Sequence, residues 1–420
     1  MKRKAVVVGA GISGLTAARS LEAAGVSVTV IEAARQVGGR TRSVRVGGQL
    51  AELGGEWVGR RHCHVAALVR SLRLTLEPAG QLGHPILWRG ERDRAAILPP
   101  LPLPERTRLL RVLWRASRMA RDLDPAEPWL APAASHFDSM TFDQWLVGEG
   151  LGPTTRGYLD ALCGSLASRP IRELSLLHVL WWLRRGGGLV PTLTTTFEQR
   201  IREGAQEISA RLARSLAGEV RLGATVTAIE QTASAVRVSS SEGEHEATHV
   251  VVTAQPGTLR RIAFEPALPD AQREIDDLPA AAGVKVIARL ASDSPPRHRS
   301  VLGGVPLASA WRAGSRVTGF APPAHADASD DELLDDLATC FGVARTDLVY
   351  PSIMRWGAEP HITACDVGFG PGTLSRLGPA LRAAHDRVRF AGAERGTWPN
   401  NMEGAAESGL RCAREIAAGT

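Results

Sequence analysis

Lysine is nearly missing from this chain: Lys2, Lys4 and Lys285 are its only three, and the remaining Lys+Arg positions are all arginine. A sequence that fills its basic positions with arginine by default singles out its one interior lysine. Lysine is the compact charge that can lose its proton when desolvated. Tyrosine is equally scarce, with Tyr158 and Tyr350 alone, so the aromatic walls of any site fall to tryptophan. The five cysteines (Cys63, Cys163, Cys340, Cys365 and Cys412) are odd in number and scattered, with no C-x-x-C pair. That excludes a disulfide framework and a zinc ribbon, and points to reduced thiols and a cytoplasmic location. His62-Cys63-His64 sits in a loop entering a helix, and no metal is expected there. No stretch approaches the roughly 20 uninterrupted apolar residues of a membrane helix. Met1-Lys2-Arg3-Lys4 does not open a signal peptide, because residues 5–14 read as a strand and a turn. The net charge is +6, yet the arginines are dispersed without aromatic interleaving, which argues against a nucleic-acid partner. There is no internal repeat and no low-complexity tail.

What is present begins at residue 5. Ala5-Val6-Val7-Val8 runs into Gly9-Ala10-Gly11-Ile12-Ser13-Gly14, then a helical stretch over 15–24, an apolar run over 26–31, and Glu32. Strand, glycine turn, helix, strand and acid stand in the order of a dinucleotide-binding βαβ unit. Gly9 permits the tight turn, Gly11 lets the backbone approach a pyrophosphate, and Gly14 lets helix and strand pack closely. The free N–H groups of the helix start face the phosphates, and Glu32 can accept hydrogen bonds from a ribose diol. Gly38-Gly39-Arg40 and Glu52-Leu53-Gly54-Gly55-Glu56-Trp57-Val58-Gly59 follow. A nicotinamide enzyme has no need of this second glycine pair and arginine. A larger cofactor held extended does, with Arg40 pairing phosphate charge while the glycines let the backbone close over it.

Residues 32–59 resemble the flavin-containing amine oxidase family (monoamine, putrescine and polyamine oxidases, with L-amino-acid oxidases as cousins). Val388-Arg389-Phe390-Ala391-Gly392-Ala393-Glu394 reads as a strand entering a glycine turn. Met402-Glu403-Gly404-Ala405-Ala406-Glu407-Ser408-Gly409 then begins a helix running to about residue 416. Both are similar to the family's C-terminal segment, and residues 204–208, 220–229 and 250–256 resemble other segments of the family. The resemblance covers essentially the whole chain and is least distinctive over 80–195. It implies FAD as cofactor. It also implies an α/β fold, in which an FAD-binding Rossmann-like domain of the glutathione-reductase type is interleaved with a mixed α+β substrate domain. The cofactor contacts it implies are Gly9, Gly11, Ser13, Gly14, Glu32, Ala33, Gly39, Arg40, Gly54, Gly55, Glu56, Trp57, Val226, Trp356, Gly392, Glu394, Met402 and Ala405. At Met402 the helix start would aim free N–H groups at the flavin ring and stabilise negative charge there. The sequence ends just past this helix, so the membrane tail of animal monoamine oxidases is expected to be absent.

Lys285 lies in Gly283-Val284-Lys285-Val286-Ile287-Ala288, whose alternation puts Val284, Val286 and Ala288 on one face and Lys285 and Ile287 on the other. The resemblance implies that Lys285 holds a water beside the flavin's reactive nitrogen, which makes it the expected catalytic residue. Trp356 precedes Cys365 by the spacing that animal monoamine oxidases use for their flavin-linking cysteine. Ala364-Cys365-Asp366 is otherwise unlike that segment, so non-covalent FAD is favoured, with a thioether at Cys365 as the alternative. Where the animal enzymes flank the substrate amine with two tyrosines, this chain has Asp366 and Asn401. These suit a polar amine with a second charged or hydrogen-bonding group rather than a phenylethylamine; Trp57, Trp356 and Trp398 are the remaining aromatic candidates. The expected reaction oxidises a C–N bond to an imine, which water hydrolyses, with dioxygen reduced to hydrogen peroxide. Competing readings are an L-amino-acid oxidase, an FAD-dependent desaturase or oxidative tailoring enzyme, and a non-catalytic flavoprotein. The amino-acid oxidase would need a carboxylate-clamping arginine, for which Arg60, Arg61, Arg312 and Arg355 are candidates. Monomer or homodimer is left open.

The order of elements predicts an FAD domain built from 1–79, 196–281 and 384–420, a helical substrate-domain insert over 80–195, and a substrate-domain sheet over 282–383. Within these, 99–104 reads as a linker and 105–123 as an amphipathic helix, with another opening at Thr141. Trp181-Trp182 should pack on the lid side, and 220–229 should be one strand.

Overall fold

Ala5-Val6-Val7-Val8 is apolar without alternation because it is buried on both faces. In the computed structural model, which describes residues 3–79, 85–89, 93–97, 99–188, 191–192, 195–291 and 299–419, Lys4–Val8 is the middle strand of a five-stranded parallel sheet. The order is Val220–Leu222, Ser27–Glu32, Lys4–Val8, His249–Val252, Val388–Phe390. Ala5 and Val7 face a core shared with the helices Ile12–Ala23, Gln206–Ser215 and Met402–Ala418. Val6 and Val8 face a second core under a four-stranded sheet that includes Val226–Gln231. Close packing depends on two glycines. A Cβ on Gly14 would stand 2.0 Å from the Gly9 carbonyl oxygen, and one on Gly409 2.2 Å from that of Ser13. The first brings helix onto strand, the second helix onto helix.

The run 220–229 is not one strand. Gly223, at φ +77°, turns the chain so that Val220–Leu222 extends the parallel sheet while Val226–Gln231 enters the four-stranded one. The segment 80–195 is not purely helical either. Ile86–Trp88 and Arg94–Ala96 join a seven-stranded sheet otherwise built from residues after 282, and the proposed boundary at residue 80 lies outside the described residues. The 99–104 linker is shorter than read, because Leu103–Arg121 is already helix, with a proline in its first turn where the missing N–H costs nothing. In the seven-stranded sheet Val284–Leu290 lies between Leu348–Arg355 and Arg316–Ala321. One of its faces (Val284, Val286, Ala288) packs under the helix Asp330–Phe341, and Ile287 faces Trp356 and Met354. The helices of the insert, together with Thr373–Arg382, form their own core. Trp181 belongs to that core rather than to a lid: it is buried edge-on to Trp129 and donates to the Pro125 carbonyl. Among the described residues no helix is long and apolar enough to cross a membrane.

Candidate active site

A cavity of about 430 Å³ runs from the first glycine turn, between the two sheets, to Lys285. Its near end is set by the start of Ile12–Ala23. That helix has Gly11 as N-cap, no capping side chain and no acid in its first turn, so its free N–H groups are available to an anion. A Cβ on Gly11 would meet only Gly38 and Gly39 atoms at 3.9 Å, which leaves the approach open. Glu32 ends the second strand and ties it to the turn: its Oε2 accepts from the Ala10 N–H (2.5 Å) and its Oε1 from that of Ala34 (2.8 Å). An ionised carboxylate has about four acceptor sites, so capacity remains for a diol.

Of the residues expected to touch cofactor, Gly9, Gly11, Ser13, Glu32, Ala33, Gly39, Arg40, Gly54, Gly55, Val226, Trp356, Gly392, Met402 and Ala405 line this cavity. Gly14, Glu56, Trp57 and Glu394 do not, each for a visible reason. Gly14 is consumed by helix packing. Trp57 is edge-on to Phe197 and tilted against Trp311, one layer back. Glu394 is buried and takes up Arg40, whose Nη1 also donates to the Cys365 carbonyl (2.5 and 2.8 Å). The guanidinium expected to meet phosphate is thus matched by a protein carboxylate. The other carboxylate oxygen of Glu394 is buried with no hydrogen-bond partner among the described residues. It lies beside Gly392 in the cavity wall, since a Cβ there would stand 3.4 Å from it. An orphaned buried acceptor asks for a hydroxyl-bearing ligand, as a cofactor with a polyol chain provides.

Lys285 is 6 % exposed and points out of its strand into the far end of the cavity. Its Nζ donates to the Gly54 carbonyl (3.0 Å) and to Glu56 Oε2 (3.3 Å) and stands 5.2 Å from the Trp311 ring centre. It does not snorkel to solvent. Glu56 is shared, its Oε1 lying 3.4 Å from Arg316 Nη2. Glu56 is therefore the partner of Lys285 rather than a cofactor contact. Sequence reasoning missed the pair because 229 residues separate its members, and it missed Trp311 and Arg316 for the same reason.

Asp366 is buried in the cavity wall, its Oδ2 accepting from the Ser168 hydroxyl at 2.7 Å. Burial raises its carboxyl to about 6, against the opposing pull of the Ser168 hydrogen bond and of Arg40. Ser168 gave no sequence signal. It follows the helix Pro153–Ala167 in a left-handed conformation (φ 52°) that turns it toward Asp366. Cys365 also lines the cavity, but burial and the neighbouring Asp366 push its thiol up to about 12. Asn401 lines it too, though its Oδ1 is committed as the N-cap of Met402–Ala418, accepting from Glu403 N–H at 2.9 Å. Its amide N–H groups have no partner among the described residues and are left for a ligand. Trp398 lies outside, edge-on to His62 and under the Arg185 guanidinium.

The family described as flavin-containing amine oxidoreductase matches residues 12–417. The chain belongs to that family. A putative flavin-containing monoamine oxidase, AofH, from Mycobacterium tuberculosis is 29% identical over 98% of this chain and 96% of its own. Amine oxidase B from Homo sapiens is 28% identical over 98% of this chain and 85% of its own. Among solved structures, cyclohexylamine oxidase from Brevibacterium oxydans superposes with a TM-score of 0.89 at 26% identity, covering 100% of this chain and 99% of that one. Putrescine oxidase with putrescine bound superposes at 0.90 and 23% identity, covering 100% and 99%, a likeness of fold. This flavoprotein is accordingly an FAD-dependent oxidoreductase of the amine oxidase type, and the glycine turn, the orphaned Glu394 oxygen and the uncapped helix start fit that cofactor.

Proposed function

We propose that this amine oxidase acts on a small polar amine carrying a second cationic or hydrogen-bonding group, converts its C–N bond to an imine that water hydrolyses, and delivers the electrons to dioxygen as hydrogen peroxide. The observation that carries the substrate class is Asp366. A carboxyl titrating near 6 is mostly ionised at neutral pH, and a buried anion in a substrate cavity is best satisfied by a cation. Ser168 orients it, and the Asn401 amide N–H groups offer a further polar contact from the wall of the same cavity. FAD, when bound, supplies the hydride acceptor and the route for electrons to oxygen. The protein's part is to position and to desolvate. Trp311, Trp356 and Phe320 wall the far end against water. Lys285, fixed by Glu56 and the Gly54 carbonyl, keeps a cation where negative charge develops during oxygen reduction. The high thiol of Cys365 supports non-covalent FAD, because the thiolate is the nucleophile a thioether needs.

The amino-acid oxidase reading loses its clamp. Arg60 pairs with Glu198 at the surface, Arg61 lies against Gly187, Arg312 bonds the Gly314 carbonyl, and Arg355 holds Asp330. None of the four lines the cavity; of the arginines that do, Arg40 and Arg42 are ion-paired to Glu394 and Glu359, and Arg261 donates to the Pro360 carbonyl. The test is anaerobic bleaching of the FAD-loaded protein by diamines, amino alcohols, monoamines and amino acids, with peroxide and ammonia measured on re-aeration. Diamines or amino alcohols should bleach fastest, with peroxide stoichiometric. Lys285→Met should slow reoxidation by about a hundredfold while leaving reduction within severalfold. Bleaching by amino acids alone, or by no amine, would overturn the reading.

A further inference from the structure

The helix Leu103–Arg121 hides one face and shows another. Leu109, Val112, Leu113, Ala116 and Ala120 are buried in the insert's core. On the opposite side Leu103, Leu110 and Trp114 are 71%, 51% and 58% exposed. They are seven and four residues apart, so they form one continuous outward ridge. The fold has no use for that ridge, since the inner face already supplies the packing. The charges around it are mostly positive. The helix carries six arginines and a single acid. That acid, Glu105, is turned aside to Thr155 and Arg108. Arg115 is held by Glu149. Arg111, Arg118 and Arg121 make no ion pair among the described residues, and Arg118 lies 5.8 Å over the Trp114 ring. Each is three, four or seven residues from Trp114, on the ridge or its flank.

We propose that this helix is a peripheral contact for an anionic lipid bilayer, with Leu103, Leu110 and Trp114 entering the headgroup boundary and Arg111, Arg118 and Arg121 meeting lipid phosphates. An apolar crest bordered by unpaired arginines is the pattern such a surface recognises: area gives the binding and charge selects the lipid. Other occupants fit less well. A twofold contact with a second copy would set these arginines against their own equivalents, with no acid on the ridge to separate them. A nucleic acid would meet the phosphate-binding charge but leave two leucines without a partner. The contact is peripheral and needs no spanning segment.

Cosedimentation of the full FAD-loaded protein with vesicles tests this, using phosphatidylcholine alone and phosphatidylcholine with roughly one third phosphatidylglycerol. At low salt the protein should pellet with the anionic vesicles and stay in solution with the neutral ones, and raising the salt should release it. Leu110→Glu/Trp114→Glu and Arg111→Glu/Arg118→Glu should each weaken partitioning by about tenfold or more, with flavin absorbance and melting temperature unchanged. Absence of pelleting at low salt would overturn the proposal, as would variants that pellet like the parent. A parent that is dimeric by light scattering with monomeric ridge variants would overturn it in favour of a second copy. Amine oxidation plays no part in this readout, so the two proposals fail separately.

Discussion

Asp366 and Lys285 occupy the same cavity with opposite charge, and their backgrounds decide what each can do. Lys285 is already matched by Glu56. Among the described residues the Asp366 carboxylate has only the neutral Ser168 hydroxyl as a hydrogen-bond partner. Asp366→Asn should therefore raise KM for a diamine or amino alcohol by about tenfold to a hundredfold, the worth of a charge-assisted bond, and leave a simple monoamine little changed. In the parent, kcat/KM for the diamine should fall as pH drops through about 6, where Asp366 gains its proton, and the variant should lose that limb. Parallel losses for both substrate types would make Asp366 merely structural. The glycines of the first turn and Lys285 were legible because each carries its signal locally, one in spacing and the other in scarcity. Arg40–Glu394 and Lys285–Glu56 were not, because their members meet only across 354 and 229 residues of folded chain.

At the scale of elements, one helix caps another. Cys63–Ser71 has no side-chain cap of its own and no acid in its first turn. Glu403, in the first turn of Met402–Ala418, accepts from the N–H groups of His64 (3.0 Å) and Val65 (2.9 Å) and from the His64 ring (2.8 Å). Cys63, His64 and Glu403 thus gather tightly enough to invite a metal reading, yet the carboxylate is consumed as a cap. Its hydrogen bonds hold Glu403 below the usual carboxylate range despite burial. Glu403→Ala should cost about 2–4 kcal/mol in denaturant unfolding and loosen FAD, whose cavity includes Met402; full retention of both would refute the capping role. An element with a self-sufficient pattern reads correctly from sequence, as the alternation through Lys285 does in Val284–Leu290. Helix Asp330–Phe341 carries its own capping box at Ser329 and Glu332. The strands Ile86–Trp88 and Arg94–Ala96 were missed because three residues show no period, and only pairing makes them strands, the first with Ser300–Leu302 and the second with the first.

Across the whole molecule, buried titrating groups pull stability in two directions. Burial lowers His62 to about 4 and His178 to about 3. A depressed folded pKa means the stabilisation is complete above the unfolded value near 6.5 and is lost as pH falls through the folded one, on the order of 3 kcal/mol for His62. Glu52 is raised to about 7 by burial, so its contribution is present at low pH and is lost as pH rises through 7. Melting temperature should therefore peak near pH 6. His178→Leu should flatten the acid side, since neither ring nitrogen has a hydrogen-bond partner to lose among the described residues; an acid limb as steep as the parent's would show that other groups govern it. The five-stranded sheet draws its strands from residues 4–8, 27–32, 220–222, 249–252 and 388–390, and Arg3 bonds the carbonyls of Ile416 and Ala417. Pairings this distant in sequence form late. During synthesis the nucleotide-binding turn at Gly9 and Gly11 is made long before Gly392, Met402 and Ala405, the wall that completes its cavity. A nascent chain therefore passes nearly its whole synthesis without a finished flavin site.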